Sequence, residues 1–145
     1  MNSIHRKFRE GVAIERVDLF RATLNEAQEI FFNLLEDIAD YNKIIIDLST
    51  CEYIDSTFFG AMVSALKKMR SKGGQLVLII GETFIYKSYI YKEICSVFKV
   101  YHSVKDALQA VKNPEKKEIP KGYEYVKPKS EPAKIVQSQM IYVTE

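Results

Sequence analysis

Asp47, Ser49, Asp55, Ser56 and Thr57 are the side chains whose types and spacing could do chemistry in this chain. They sit where a run of isoleucines stops and a helical pattern begins, so carboxylates and hydroxyls collect in one short stretch. A hydroxyl at a helix start can cap the helix by accepting a backbone N–H that lacks an intrahelical partner. The same N–H groups and the helix dipole favour negative charge, so a hydroxyl there can equally carry a phosphate. A third chemistry would pair Asp47 with Asp55 around a magnesium ion. That site needs further acidic ligands and a well-placed lysine, for which Asp18 and Glu82 make a thin case, and Asp47 reads better as a cap or loop organiser together with Ser49. His5 and His102 are the two histidines, and neither has a catalytic context. The chain lacks a Gly-x-Ser-x-Gly elbow and the phosphate-cradling Gly-x-x-x-x-Gly-Lys-Ser/Thr loop. The residues therefore predict no enzyme, no bound metal and no cofactor.

The elements that must position these groups can be read from periodicity. Ile44 to Leu48 and Leu76 to Ile80 are short, apolar and rich in β-branched residues, as expected of central strands covered on both faces. Phe59, Met62, Val63, Leu66 and Met69 recur at helical spacing after Thr57. Basic Lys67, Lys68, Arg70 and Lys72 precede Gly73 and Gly74, as suits a helix C-terminus. Gly11 to Val17 reads as a strand, and Thr23 with Glu26 as a capping box. Leu24, Ala27, Phe31, Leu34, Leu35 and Ile38 then mark the predicted buried face of the helix it opens. Ser103 with Asp106 is expected to cap a last helix. Alternating strand and helix patterns predict an α/β fold.

Composition bounds the partners. At 145 residues, with 47% hydrophobic and 28% charged, the chain has the balance of one soluble domain with an appendage. Its formal charge of +2 is not clustered, which predicts neither nucleic-acid binding nor membrane insertion. Cys51 and Cys95 are too few and isolated for a disulfide framework, which fits reduced thiols and a cytoplasmic location. Cys95 is expected in the core and Cys51 in an accessible loop. All four prolines, Pro114, Pro120, Pro128 and Pro132, lie beyond residue 112. The expected organisation is a domain over 1–112 and a Pro/Lys/Glu-rich tail over 113–145, disordered or serving as a docking clip.

The order of these features resembles the STAS domain, whose best-known soluble members are bacterial anti-sigma factor antagonists. The resemblance rests on a strand ending in Asp47-Leu48-Ser49, a spacer, Ile54-Asp55-Ser56-Thr57, a helix, Lys72-Gly73-Gly74 and the strand from Leu76 to Ile80. It continues through a helix after Glu82, the segment Val97 to Tyr101 and a helix from Ser103 to Val111, covering about residues 8 to 112. It implies a mixed four- to five-stranded sheet with about four helices packed mainly on one face. In that family the usual pattern is Asp-Ser-Ser/Thr-Gly-Leu-Gly, and a partner kinase phosphorylates the second hydroxyl residue. By position that residue is Thr57, with Ser56 beside it. Phe58 stands where the family has its first Gly, and Gly60 retains the second.

The resemblance implies a phosphorylation-gated interaction switch. Asp55, Phe58, Phe59, Gly60 and Ala61 would form the partner-binding face. The implied partner is an anti-sigma factor that is also a serine/threonine kinase of the histidine-kinase-like ATPase type, with a phosphatase as a further expected partner. The alternative is a constitutive STAS binding subunit of a larger regulatory or transport assembly, in which Ser56 and Thr57 only cap the helix; Phe58 in place of glycine favours it. Phe84, Tyr86, Tyr89, Tyr91, Phe98 and Tyr101 form an aromatic-rich region expected to be mostly core, with some rings near the surface beside the helix that starts at Ser56.

Overall fold

Ile44, Ile45 and Ile46 are each fully buried because the strand that carries them is covered by side chains on both faces. The computed structural model describes residues 3–87 and 90–113, and the first compact unit of the chain runs Met1–Lys112. The strands are β1 (Ile4–Arg9), β2 (Val12–Val17), β3 (Arg21–Ala22), β4 (Lys43–Leu48), β5 (Tyr53–Ile54), β6 (Gln75–Ile80) and β7 (Val100–Tyr101). The helices are α1 (Leu24–Asp40), α2 (Ser56–Ser71), α3 (Glu82–Lys87), α4 (Tyr91–Val97) and α5 (Val104–Lys112). Five strands form one mixed sheet in the order β1-β2-β4-β6-β7, with β1 antiparallel to β2 and the other neighbours parallel. The short β3 and β5 pair in parallel as a separate two-stranded sheet.

The two-residue period of the strands divides the core. Ala13, Ile44, Ile46, Leu48, Leu76, Leu78 and Ile80 face a large cluster that includes Ile30 and Leu34 of α1, Phe58, Met62 and Met69 of α2, Phe84 of α3 and Ile94 of α4. Val12, Ile14, Ile45, Val77 and Ile79 face the other way, onto Ala107, Leu108 and Val111 of α5. Four helices thus share one face and α5 covers the opposite one. The fold is the α/β arrangement expected from the alternating patterns. The Thr23–Glu26 capping box is formed, and the Ser103 hydroxyl accepts the Asp106 N–H at 3.1 Å.

Three features differ from the sequence expectation. Strand β1 carries no apolar alternation because it is an edge strand that buries only Ile4. Its hairpin with β2 turns through Glu10 and Gly11, both at positive φ (53° and 81°), the backbone of a two-residue type I′ turn. The buried stripe of α1 is Ala27, Ile30, Leu34 and Asp37, whereas Phe31, Leu35 and Ile38 are half-buried and Leu24 is exposed. A carboxylate occupies that stripe because Arg6 of β1 reaches over the helix to meet it at 2.8 Å. The cysteines exchange places: Cys51 is buried and Cys95 exposed. The loop carrying Cys51 is drawn in by the Cys51 N–H bond to Leu48 O at 3.0 Å, while Cys95 follows Ile94, the residue with which α4 enters the core. The side chain of Tyr86, all of Tyr89 and the tail over 114–145 lie outside the described residues.

Candidate functional site

Parallel strands that end together bring their following loops to one edge of the sheet, and here those loops build the hydroxyl-bearing site. At the end of β4 the Asp47 carboxylate, almost fully buried, accepts the Ser49 N–H at 2.9 Å and turns the chain. Gly81, just past the end of β6, packs against this turn so closely that an added Cβ would stand 2.4 Å from Ser49 O. The loop then runs beside β3: the N–H groups of Glu52 and Tyr53 both donate to Phe20 O, at 2.8 and 3.2 Å. The Asp55 N–H donates to Ala22 O at 3.2 Å. Cys51 lies beneath, where burial pushes its thiol pKa up and its Sγ donates to Tyr53 O.

Asp55 is the N-cap of α2, and its two oxygens serve two helices. Oδ1 accepts the Phe58 N–H and Oδ2 accepts the Leu24 N–H, each at 2.9 Å. One carboxylate therefore fastens the first turn of α2 to the first residue of α1, and the positive ends of both helix dipoles converge on it. Because Asp55 takes the capping role, Ser56 and Thr57 are left as the first two residues of α2, both exposed. Their hydroxyls form no hydrogen bond among the described residues. Capping by these hydroxyls, the bland expectation for them, is thus replaced by capping through Asp55.

The next residues split between core and surface. Phe58 is fully buried and faces the sheet, so its ring belongs to the core and is unavailable to a partner. Phe59 and Ala61 are half-buried and Gly60 is exposed. Phe59 meets Phe98 edge-on at 6.1 Å, and the Arg70 guanidinium donates to Val97 O at 3.4 Å, so α2 and the end of α4 are neighbours. Tyr91 and Tyr101 are half-buried, while Phe84 and Phe98 are core.

Sequence reasoning missed two residues of this surface. Phe20 and Leu24 are 61% and 63% exposed, and they flank the peptide and carboxylate contacts that hold Asp55. Beside them the Arg21 guanidinium lies over the Tyr53 ring at 4.3 Å from its centroid. The available signal was position: Leu24 directly follows the N-cap Thr23, where a side chain projects ahead of the first turn rather than into the core.

Asp47 and Asp55 are each engaged by backbone N–H groups. Among the described residues no three His, Cys, Asp or Glu side chains are grouped as a metal site would require. Also among the described residues, no helix is long and apolar enough to cross a membrane.

Comparison with known proteins agrees with this architecture. The STAS domain family model matches residues 2–107. A candidate anti-sigma factor antagonist of Thermotoga neapolitana is 32% identical over 71 residues, which are 49% of this chain and 63% of that protein. The match thus spans less than two thirds of that relative's length. The crystal structure of a candidate anti-sigma factor antagonist from Thermotoga maritima superimposes with a TM-score of 0.63 at 23% identity, over 75% of this chain and 94% of the other. The phosphorylated form of the Bacillus protein SpoIIAA superimposes with a TM-score of 0.57 at 13% identity, over 74% and 98% of the two chains. At these identities the solved structures share the fold, while the family match covers most of the chain, from β1 into α5. The chain belongs to the STAS domain family.

Proposed function

We propose that this protein is a phosphorylation-gated interaction switch of the anti-sigma factor antagonist type, with Thr57 as the acceptor and Ser56 as its neighbour. The observation that carries this reading is the division of labour at the start of α2. Asp55 supplies the cap with both oxygens, so two exposed hydroxyls stand at a helix N-terminus with no structural task. A phosphate at such a position is favoured by the helix dipole and leaves the fold intact. Family membership and an antagonist relative support the reading. So does the existence of a STAS-fold neighbour solved in a phosphorylated form.

In this mechanism the unmodified face binds an anti-sigma factor that is also a serine/threonine kinase of the histidine-kinase-like ATPase type. The face comprises Asp55, Phe59, Gly60 and Ala61, extended by the exposed Phe20 and Leu24. The kinase transfers the γ-phosphoryl group of ATP to Thr57 Oγ1, which gives up its proton as ADP leaves. The phosphate brings a charge of about −1.5 to −2 at neutral pH. It lies beside the Asp55 carboxylate, in a patch that carries the apolar Phe20, Leu24 and Phe59. A docked partner would have to desolvate it, so the complex dissociates while the switch protein keeps its shape. A phosphatase resets the cycle. Two buried groups limit what the partner meets: Phe58 is core, and Cys51 lies under the loop.

The test is phosphate mapping on the peptide around Ser56 and Thr57 in the full chain isolated from its own cells, followed by partner capture with variants. Thr57→Ala should keep the partner and lose the phosphate, and Thr57→Glu should weaken capture by about tenfold or more. An unmodified peptide under all growth conditions, together with undiminished capture by Thr57→Glu, would replace the switch with a constitutive binding subunit.

A further inference from the structure

Glu15 and Asp37 are buried carboxylates that the proposed switch does not use. Glu15 projects from β2 and is fully buried, and Asp37 projects from α1 and is 1% exposed. One cation serves both: Arg6 of β1, directly across the hairpin from Glu15, donates through Nε to Glu15 Oε2 at 3.0 Å and through a terminal nitrogen to Asp37 Oδ1 at 2.8 Å. Its other terminal nitrogen goes to the exposed Glu36 at 2.7 Å. Asn33 Nδ2 donates to Glu15 Oε1 at 3.2 Å. Asp37 Oδ2 is buried and, in the described structure, has no hydrogen-bond partner.

Two full negative charges without water around them need more than one shared guanidinium. Counting donors gives the same result: three of the four buried oxygens accept a hydrogen bond, and the fourth has a place for a proton. We propose that Glu15 and Asp37 share one proton near neutral pH, and that this proton completes a latch fastening edge strand β1 and helix α1 to β2. Burial first, and then the neighbouring Asp37 carboxyl, push the Glu15 carboxyl up to about 8 against the pull of Arg6. Of the other titratable groups close by, Glu36 of α1 stays exposed on the outer nitrogen of Arg6. Glu15 pairs in the sheet with Ile46 of β4, and alternation turns His5, Lys7 and Arg16 to the opposite face. From the end of α2, Lys72 is spent on the carbonyls of Ile38 and Tyr41.

The pair holds its proton in the folded state more tightly than an unfolded carboxyl does. Its contribution to stability is therefore complete below the ordinary carboxyl range, about 4.5, and is lost as pH rises through about 8. The deciding measurement is a carboxyl-carbon NMR titration of the full chain. A Glu15 step near pH 8 is expected; an ordinary Glu15 step below about pH 6 would overturn the shared proton. Thermal unfolding gives an independent reading. The wild-type midpoint should fall between about pH 6 and 9, and Glu15→Gln, whose amide can donate to Asp37 as the protonated acid does, should flatten that slope. An equal slope in both proteins would refute the latch, and if Glu15→Gln does not fold, the wild-type NMR titration decides alone.

Discussion

Replacing Asp55 with alanine removes two hydrogen bonds that join two helices, and the size of the loss can be worked from their geometry. The bond from Phe58 N–H is an N-cap contact, for which truncation to alanine costs about 1 kcal/mol within a range of 0.5–2. The bond from Leu24 N–H has the same length and the same charged acceptor, and it ties elements 31 residues apart, so it adds about 1–1.5 kcal/mol. The sum is about 2–2.5 kcal/mol. For a domain of about 110 residues this lowers the thermal midpoint by roughly 8–12 °C. Asp55→Asn should lose about half as much, because the amide retains one acceptor and must turn its NH2 toward the other backbone donor. The assay is urea and thermal denaturation of wild type and both variants at one pH. A loss below about 0.5 kcal/mol for Asp55→Ala would show that water replaces both bonds without cost and that the two helices are not fastened through this carboxylate.

Three further outcomes follow from the same coordinates. Gly81→Ala sets a Cβ 2.4 Å from the Ser49 carbonyl oxygen, a backbone atom that cannot swing aside, and should cost about 2–4 kcal/mol by urea titration. Phe20→Ala and Leu24→Ala remove side chains that are already more than half exposed. Stability should change by less than about 0.5 kcal/mol in each, while partner affinity measured by calorimetry falls about tenfold or more if these residues anchor the partner. A thiol reagent should label Cys95 promptly in the native protein and Cys51 only as the chain unfolds, because burial both shields the Cys51 sulfur and raises its pKa. Rapid labelling of both would place Cys51 in an open loop.

The central strands and α2 were legible because their residues obey one period throughout. Ile44 to Ile46 and Leu76 to Ile80 have no competing signal, and Met62, Leu66 and Met69 hold one helix face. Strand β1 was not legible because pairing at an edge needs backbone groups, and five of its six side chains stay exposed. The α1 stripe was misplaced because a buried Asp37 is invisible to any apolar pattern until Arg6, far off in sequence, is known to reach it. At the site, the positions of Ser56 and Thr57 were legible, since they depend only on where α2 begins. The role of Asp55 as a shared cap was not, because its second partner, Leu24, is distant in sequence and its contact is set by the β3–β5 pairing. Phe58 misled for a related reason: a bulky residue in place of a family glycine suggested surface change, yet helical phase turns it into the core.

The hairpin edge described above bears on whether the sheet could be extended by a strand from another molecule. An open sheet invites strands from neighbouring molecules to extend it, and among the described residues one flank of this sheet is β1. Lys7 and Arg9 place positive charge along that strand, which opposes the approach of a second such edge. At the far side β7 is only two residues long and offers too little backbone to template anything. Among the described residues, both flanks thus discourage growth of the sheet by strand addition.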